Sequence, residues 1–163
     1  MDNVLYHGSK TGGIKVFRPG IHFISRNKPV VFATDDRKYA LAMIYGTGNE
    51  LAVSYSVDGN TGKKEIYVDE LQEGKLELLE GVGYLYEVEA EHFILSPEGL
   101  ESEYVSYASA PVLSETKVDN VAESLKKQGV HLVCYDRVSQ SMKQRGKVLT
   151  SPEIKHDPDR FSE

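Results

Sequence analysis

Three short segments of this 163-residue chain hold side chains that could act together chemically. Leu5-Tyr6-His7-Gly8-Ser9 places a histidine at the end of a strand-like run, and the glycine after it lets backbone approach a ligand closely. Val30-Val31-Phe32-Ala33-Thr34 is an apolar run that leads into a segment carrying Tyr39 and Tyr45. Glu101-Ser102-Glu103-Tyr104-Val105-Ser106-Tyr107 opens a strand with a carboxylate and flanks it with aromatics. Several familiar chemistries find no support. DGNTGKK lies between two strand-like runs and reads as a hairpin turn, not as a phosphate-cradling loop ending in Lys-Ser/Thr. His7, His22, His92, His131 and His156 contain no pair at metal-ligand spacing, so no metal is expected. GVGYLY enters a strand instead of a helix, which removes the dinucleotide-binding fingerprint. The single cysteine, Cys134, excludes an internal disulfide and any zinc site with two thiolates. Its setting in HLVCY suits a small buried hydrophobe.

The elements that must position these residues follow from periodicity and punctuation. Asn3 to His7 reads as a strand, and Gly8 to Lys28 as a loop rich in glycine and proline. Pro29 to Ala33 reads as a buried strand; Thr34 or Asp35 caps a helix with apolar residues from Tyr39 to Tyr45, stopped by Gly46 and Gly48. From Leu51 to Leu95, LAVSYSV, KEIYV, KLELLE, GYLYEVEA and HFIL alternate and are separated by turns, which predicts an antiparallel meander. Glu103 to Ala108 reads as a strand, Val118 to Gln128 as an amphipathic helix, and Val130 to Tyr135 as a final buried strand. Residues 1–138 then form a single α+β domain, and 139–163 a polar C-terminal tail.

Charge is unevenly spread along the chain. The net charge is −6, yet Lys10 to Lys28 holds five basic residues and no acid, while Glu65 to Glu103 holds twelve acids and one base. This pattern argues against a general nucleic-acid binder and leaves room for one local anionic ligand. MDNVLYHGSK lacks the regions of a signal peptide, and no apolar run approaches eighteen residues, so a cytoplasmic protein without membrane contact is expected.

In order and character, the three segments resemble the ADP-ribosyltransferase superfamily, in the His-Tyr-Glu branch of poly(ADP-ribose) polymerases and diphtheria toxin. The resemblance runs from about Leu5 to about Val112, with HGS and EYVSY its most specific parts. It implies two packed, mainly antiparallel sheets with a few short helices. It also implies that NAD is the substrate, that the nicotinamide-ribose bond is cleaved, and that ADP-ribose passes to a protein or nucleic-acid acceptor. Glu103 would stabilise the oxocarbenium-like charge and bond the ribose 2′-hydroxyl. His7 would orient the adenosine ribose, Gly8 the nicotinamide amide, and Ser9 a ribose. Arg18 and Arg26, with Lys10, Lys15 and Lys28 behind them, would neutralise the pyrophosphate of NAD or a phosphate of the acceptor.

The sequence departs from the family at the tyrosines. Val31 stands where a tyrosine is usual before Phe-Ala, and the ring that stacks on nicotinamide aligns with Ala42. Tyr39 or Tyr45 supplies a ring after a shift of about one helical turn, Tyr45 being preferred because it shares a face with Leu41 and Ala42. Residue by residue, plainer readings stay open: His7 as a strand-end histidine, Glu103 as a strand-edge acid, Glu101 as a surface acid, Tyr104 and Tyr107 as sheet packing. Two other functions also stay open. One is an RNA 2′-phosphotransferase, which shares the strand-borne His-Gly; the other is a catalytically inactive binding protein of the same fold.

Overall fold

The computed structural model describes residues 3–21, 28–58, 60–96, 102–145 and 147–149. Among the described residues, apolar side chains alternate along most strands and come together on the faces of two mainly antiparallel sheets, with three short helices, in a mixed α+β arrangement. The larger sheet runs in the order β2 (Val16–Phe17), β10 (Ala110–Val118), β7 (Gly83–Glu89), β1 (Val4–Ser9), β4 (Pro29–Thr34), β9 (Glu103–Ser106) and β8 (Ile94–Leu95), with β3 (Gly20–Ile21) pairing on β4. The smaller sheet runs β11 (His131–Val133), β6 (Lys64–Glu70), β5 (Leu51–Val57) and β12 (Lys147–Leu149). Within it, β11 lies parallel to β6, and the other pairs are antiparallel.

Between the sheets lies α1 (Arg37–Ala42), whose Ala40 carbonyl packs on β1 at Gly8 and whose Tyr39 ring meets Tyr55 of β5. The apolar core there joins Leu41, Val53, Val68 and Leu79 to Val121 and Leu125 of α2 (Val121–Lys127). A second cluster, built on Leu5, Val31, Tyr86 and Val88, covers the opposite face of the larger sheet. Among the described residues no helix is long and apolar enough to cross a membrane.

Several elements differ from their sequence reading, each for a local reason. Leu51 to Leu95 is not one meander, because KLELLE forms a 3-10 turn, Lys75–Glu80, that carries the chain from the smaller sheet to the larger. Gly74 starts that turn at φ 89°, and the buried Glu70 carboxylate holds it by accepting the Leu76 N–H at 2.7 Å. The helix expected from Val118 begins at Val121, since Asn120 caps it through the Glu123 N–H and Val118 ends β10. Likewise Asp36, not Thr34 or Asp35, caps α1. The basic segment expected as loop contributes β2 and β3. Cys134, expected buried, is exposed, because β11 is an edge strand and the chain turns outward after it.

Within the stretch that composition reads as a polar tail, α3 (Val138–Gln144) and β12 form. Arg145 anchors them. Its guanidinium makes two hydrogen bonds to Asp69, both side chains are 1 % exposed, and its plane lies 3.8 Å from the Tyr67 ring centre. A buried charge so far from water is tolerated only when paired. Residues 150–163 lie outside the described residues. Arg145→Met strands the Asp69 carboxylate and is expected to cost about 3–5 kcal/mol in urea unfolding, most of it recovered in Arg145→Met with Asp69→Leu.

Candidate active site

Strand register brings the sequence-predicted groups toward one place. Tyr6 pairs with Thr34 and Thr34 with Glu103, so three strands present these residues in a row on one face. The turn after β4 then sets the helix. The Thr34 hydroxyl accepts the Asp36 N–H at 3.1 Å, and Asp36 Oδ1 accepts the N–H groups of Lys38 and Tyr39 at 3.0 and 3.2 Å. With its first turn fixed, α1 points Tyr39 at β9, where its hydroxyl donates to Glu103 Oε1 at 3.3 Å. Glu103 is 1 % exposed and Tyr39 3 %.

Beside this pair lies a cavity of about 400 Å³. One wall is the strand end from Tyr6 to Lys10, and the other is α1 and the chain that follows it to Thr47. His7, Gly8, Ser9, Tyr39 and Tyr45 all line it. Glu103 does not; its link to the cavity is the hydrogen bond from Tyr39, which lines it. The His7 ring is held at two points: Nδ1 lies 2.5 Å from the Phe32 carbonyl oxygen, and the ring packs 4.3 Å from Phe17. Because a carbonyl only accepts, Nδ1 carries the proton in this contact. The Ser9 hydroxyl accepts the Thr11 N–H at 3.1 Å.

The two tyrosines occupy different settings. Tyr39 is enclosed, and burial first, then the Glu103 carboxylate, push its phenol well above the ordinary range. It therefore keeps its proton and remains a donor across working pH. Tyr45 lies beyond the end of α1; its hydroxyl donates to the Val82 carbonyl at 2.9 Å, and burial raises its phenol. Gly8 is required for packing as well as for the cavity, since a Cβ there would lie 2.2 Å from the Ala40 carbonyl oxygen and 2.8 Å from Ile44 Cγ1.

The basic candidates do not converge in the same way. Lys10 lines the cavity, Arg18 is exposed and off its wall, and Lys28 lies 5.7 Å from the Tyr107 ring centre. Arg26 and Glu101 lie outside the described residues. Among the described residues, no three His, Cys, Asp or Glu side chains gather as a metal site.

Sequence reading passed over Asp36 and Lys64. The Lys64 ammonium lies 2.8 Å from Asp36 Oδ2 and 4.0 Å from the Tyr55 ring centre. A signal was present: Lys64, Ile66 and Val68 share one strand parity, so a charge sits on the inward stripe of β6. Burial raises the Asp36 carboxyl, but Lys64 and the N–H groups of Tyr39 and Lys38 outweigh it and leave it lowered. Comparison with family models, curated proteins and solved structures gave no match.

Two outcomes are expected. Gly8→Ala forces α1 off β1 and lowers stability by about 1–3 kcal/mol, read as a drop in urea midpoint. Since its folded carboxyl is lowered, Asp36 contributes stability above about pH 4, lost as pH falls through the folded value. Asp36→Asn keeps the cap, so it should lower stability at pH 7 and flatten the acid dependence below about pH 4, in urea midpoints measured against pH.

Proposed function

We propose that this chain is an NAD-dependent ADP-ribosyltransferase-like enzyme, cleaving the nicotinamide-ribose bond and passing ADP-ribose to a protein or nucleic-acid acceptor. The observation that carries this reading is the hydrogen bond from cavity-lining Tyr39 to buried Glu103, made beside the wall formed by His7, Gly8 and Ser9. His7 and Glu103 are the histidine and glutamate of the sequence resemblance, and Tyr39 is one of its two candidate tyrosines; two strands and a helix carry the three, with His7 and Tyr39 on the cavity wall and Glu103 bonded to Tyr39. A volume of about 400 Å³ lies within the range of small-ligand sites, about 300–1,000 Å³.

In the proposed reaction the C1′–N bond of NAD breaks and its electron pair leaves with nicotinamide, which becomes neutral. The ribose C1′ becomes cationic, an acceptor nucleophile bonds to it, and the acceptor gives up its proton. The residues present suit that task. Gly8, which has no side chain, brings backbone to the cavity wall, and Tyr39 lines the same cavity. Bonded to Tyr39, the Glu103 carboxylate, itself only 1 % exposed, supplies negative charge away from bulk water, where charge stabilisation is stronger. Lys10, at the same wall, is placed to meet a phosphate.

Purified protein incubated with NAD and mixed protein or nucleic-acid acceptors is expected to release nicotinamide. Glu103→Gln, which keeps the shape of the side chain, should lower that rate by about 10²–10³-fold with folding intact by circular dichroism. Absence of both NAD binding and nicotinamide release in the wild-type protein would overturn the reading.

A further inference from the structure

Lys64 belongs to the smaller sheet and has no place on the cavity wall, yet every group it touches is one step from the Tyr39–Glu103 bond. Its position on the inward stripe of β6 is unusual for a lysine; the side chain is 28 % exposed, and a partly buried ammonium needs its charge met. Here Asp36 Oδ2 lies 2.8 Å away, Ser102 Oγ 3.4 Å, and the ring centres of Tyr55 and Tyr39 4.0 and 5.6 Å. Asp36 caps the helix on which Tyr39 is the third residue. Ser102 immediately precedes Glu103. Tyr55 stands edge-on to Tyr39 with ring centres 6.0 Å apart.

We propose that Lys64 is a positioning residue for this site: its ammonium ties the cap of α1, the Tyr39 ring and the chain entering β9 into one unit, and so fixes Glu103 relative to the cavity. The kinetic consequence rests on the transferase reading given above. Two physical effects act together. Direct contacts restrict Ser102 and Asp36, which bracket the donor and acceptor of the Tyr39–Glu103 bond. Aromatic faces also attract a cation, which holds the Tyr55 and Tyr39 rings beneath Lys64. Asp36 neutralises the ammonium, so the device places no net positive charge beside a reaction whose transition state is itself cationic.

The test uses the full chain and three substitutions, Lys64→Met, Lys64→Arg and Lys63→Met. Lys63 is the control, since its side chain is exposed and pairs with Glu65 at 3.1 Å. With NAD as substrate, Lys64→Met should lower kcat for nicotinamide release by about 10- to 100-fold, the loss expected of a slightly misplaced catalytic group, and leave KM within about threefold. Lys64→Arg, which keeps a cation able to stack and pair, should recover most of the rate; Lys63→Met should match wild type. A second readout needs no turnover: the ¹³Cζ resonance of Tyr39, assigned by its loss in Tyr39→Phe, should move in Lys64→Met and stay in Lys63→Met. An unchanged kcat, a change in KM alone, or an unmoved Tyr39 resonance in folded Lys64→Met would overturn the proposal. Should Lys64→Met fail to fold, Lys64→Gln, which keeps a donor toward Asp36, is measured the same way. If the wild-type protein releases no nicotinamide, the transferase reading falls, and the Tyr39 resonance still decides whether Lys64 positions the pair.

Discussion

The missing side chain at Gly8 is the constraint on which the arrangement turns. Any Cβ there would strike the Ala40 carbonyl, and a backbone carbonyl inside a helix cannot swing aside. Because the space is empty, α1 settles directly on β1 and its far side reaches the smaller sheet, where Tyr39 meets Tyr55. One helix of six residues thus joins both sheets and forms one wall of the cavity. So short a helix has little stability of its own, and here the cap at Asp36 and packing on both sides hold it.

Two buried acids show how differently the fold treats negative charge. Asp69 receives an arginine, two parallel hydrogen bonds and an aromatic cover, an arrangement that spends its charge on holding α3 and β12 to the sheet. Glu103 receives a phenol hydroxyl at 3.3 Å, and the nearby cation, Lys64, makes its ion pair with Asp36. A phenol orients a carboxylate without cancelling its charge.

How much of this was legible depended on whether the signal was local. Periodicity found β5, β6, β7 and α2, and a continuous apolar run found β4, because those signals lie within a few neighbouring residues. It passed over β10, whose exposed stretch from Leu113 to Lys117 shows no clear alternation, and it took KLELLE for a strand although Glu70, five residues earlier, holds it in a turn. The attachment of α3 was hidden for a related reason. VSQSMKQ carries few apolar residues, and its attachment rests on Arg145 meeting an aspartate 76 residues away. Lys64 could have been noticed as a charge on an inward stripe, but its partners could not.

The sequence by itself determined the α+β class and the strands that bear His7 and Glu103. Those depend on spacing and residue type within a few positions. Tertiary structure alone decided that Tyr39 bonds Glu103, that this bond links Glu103 to the cavity, that Tyr45 is tied to Val82, and that Lys64 of another sheet completes the cluster. Each of these joins residues tens of positions apart. Strand register and the seating of α1 set such distances, and both depend on how the whole chain packs.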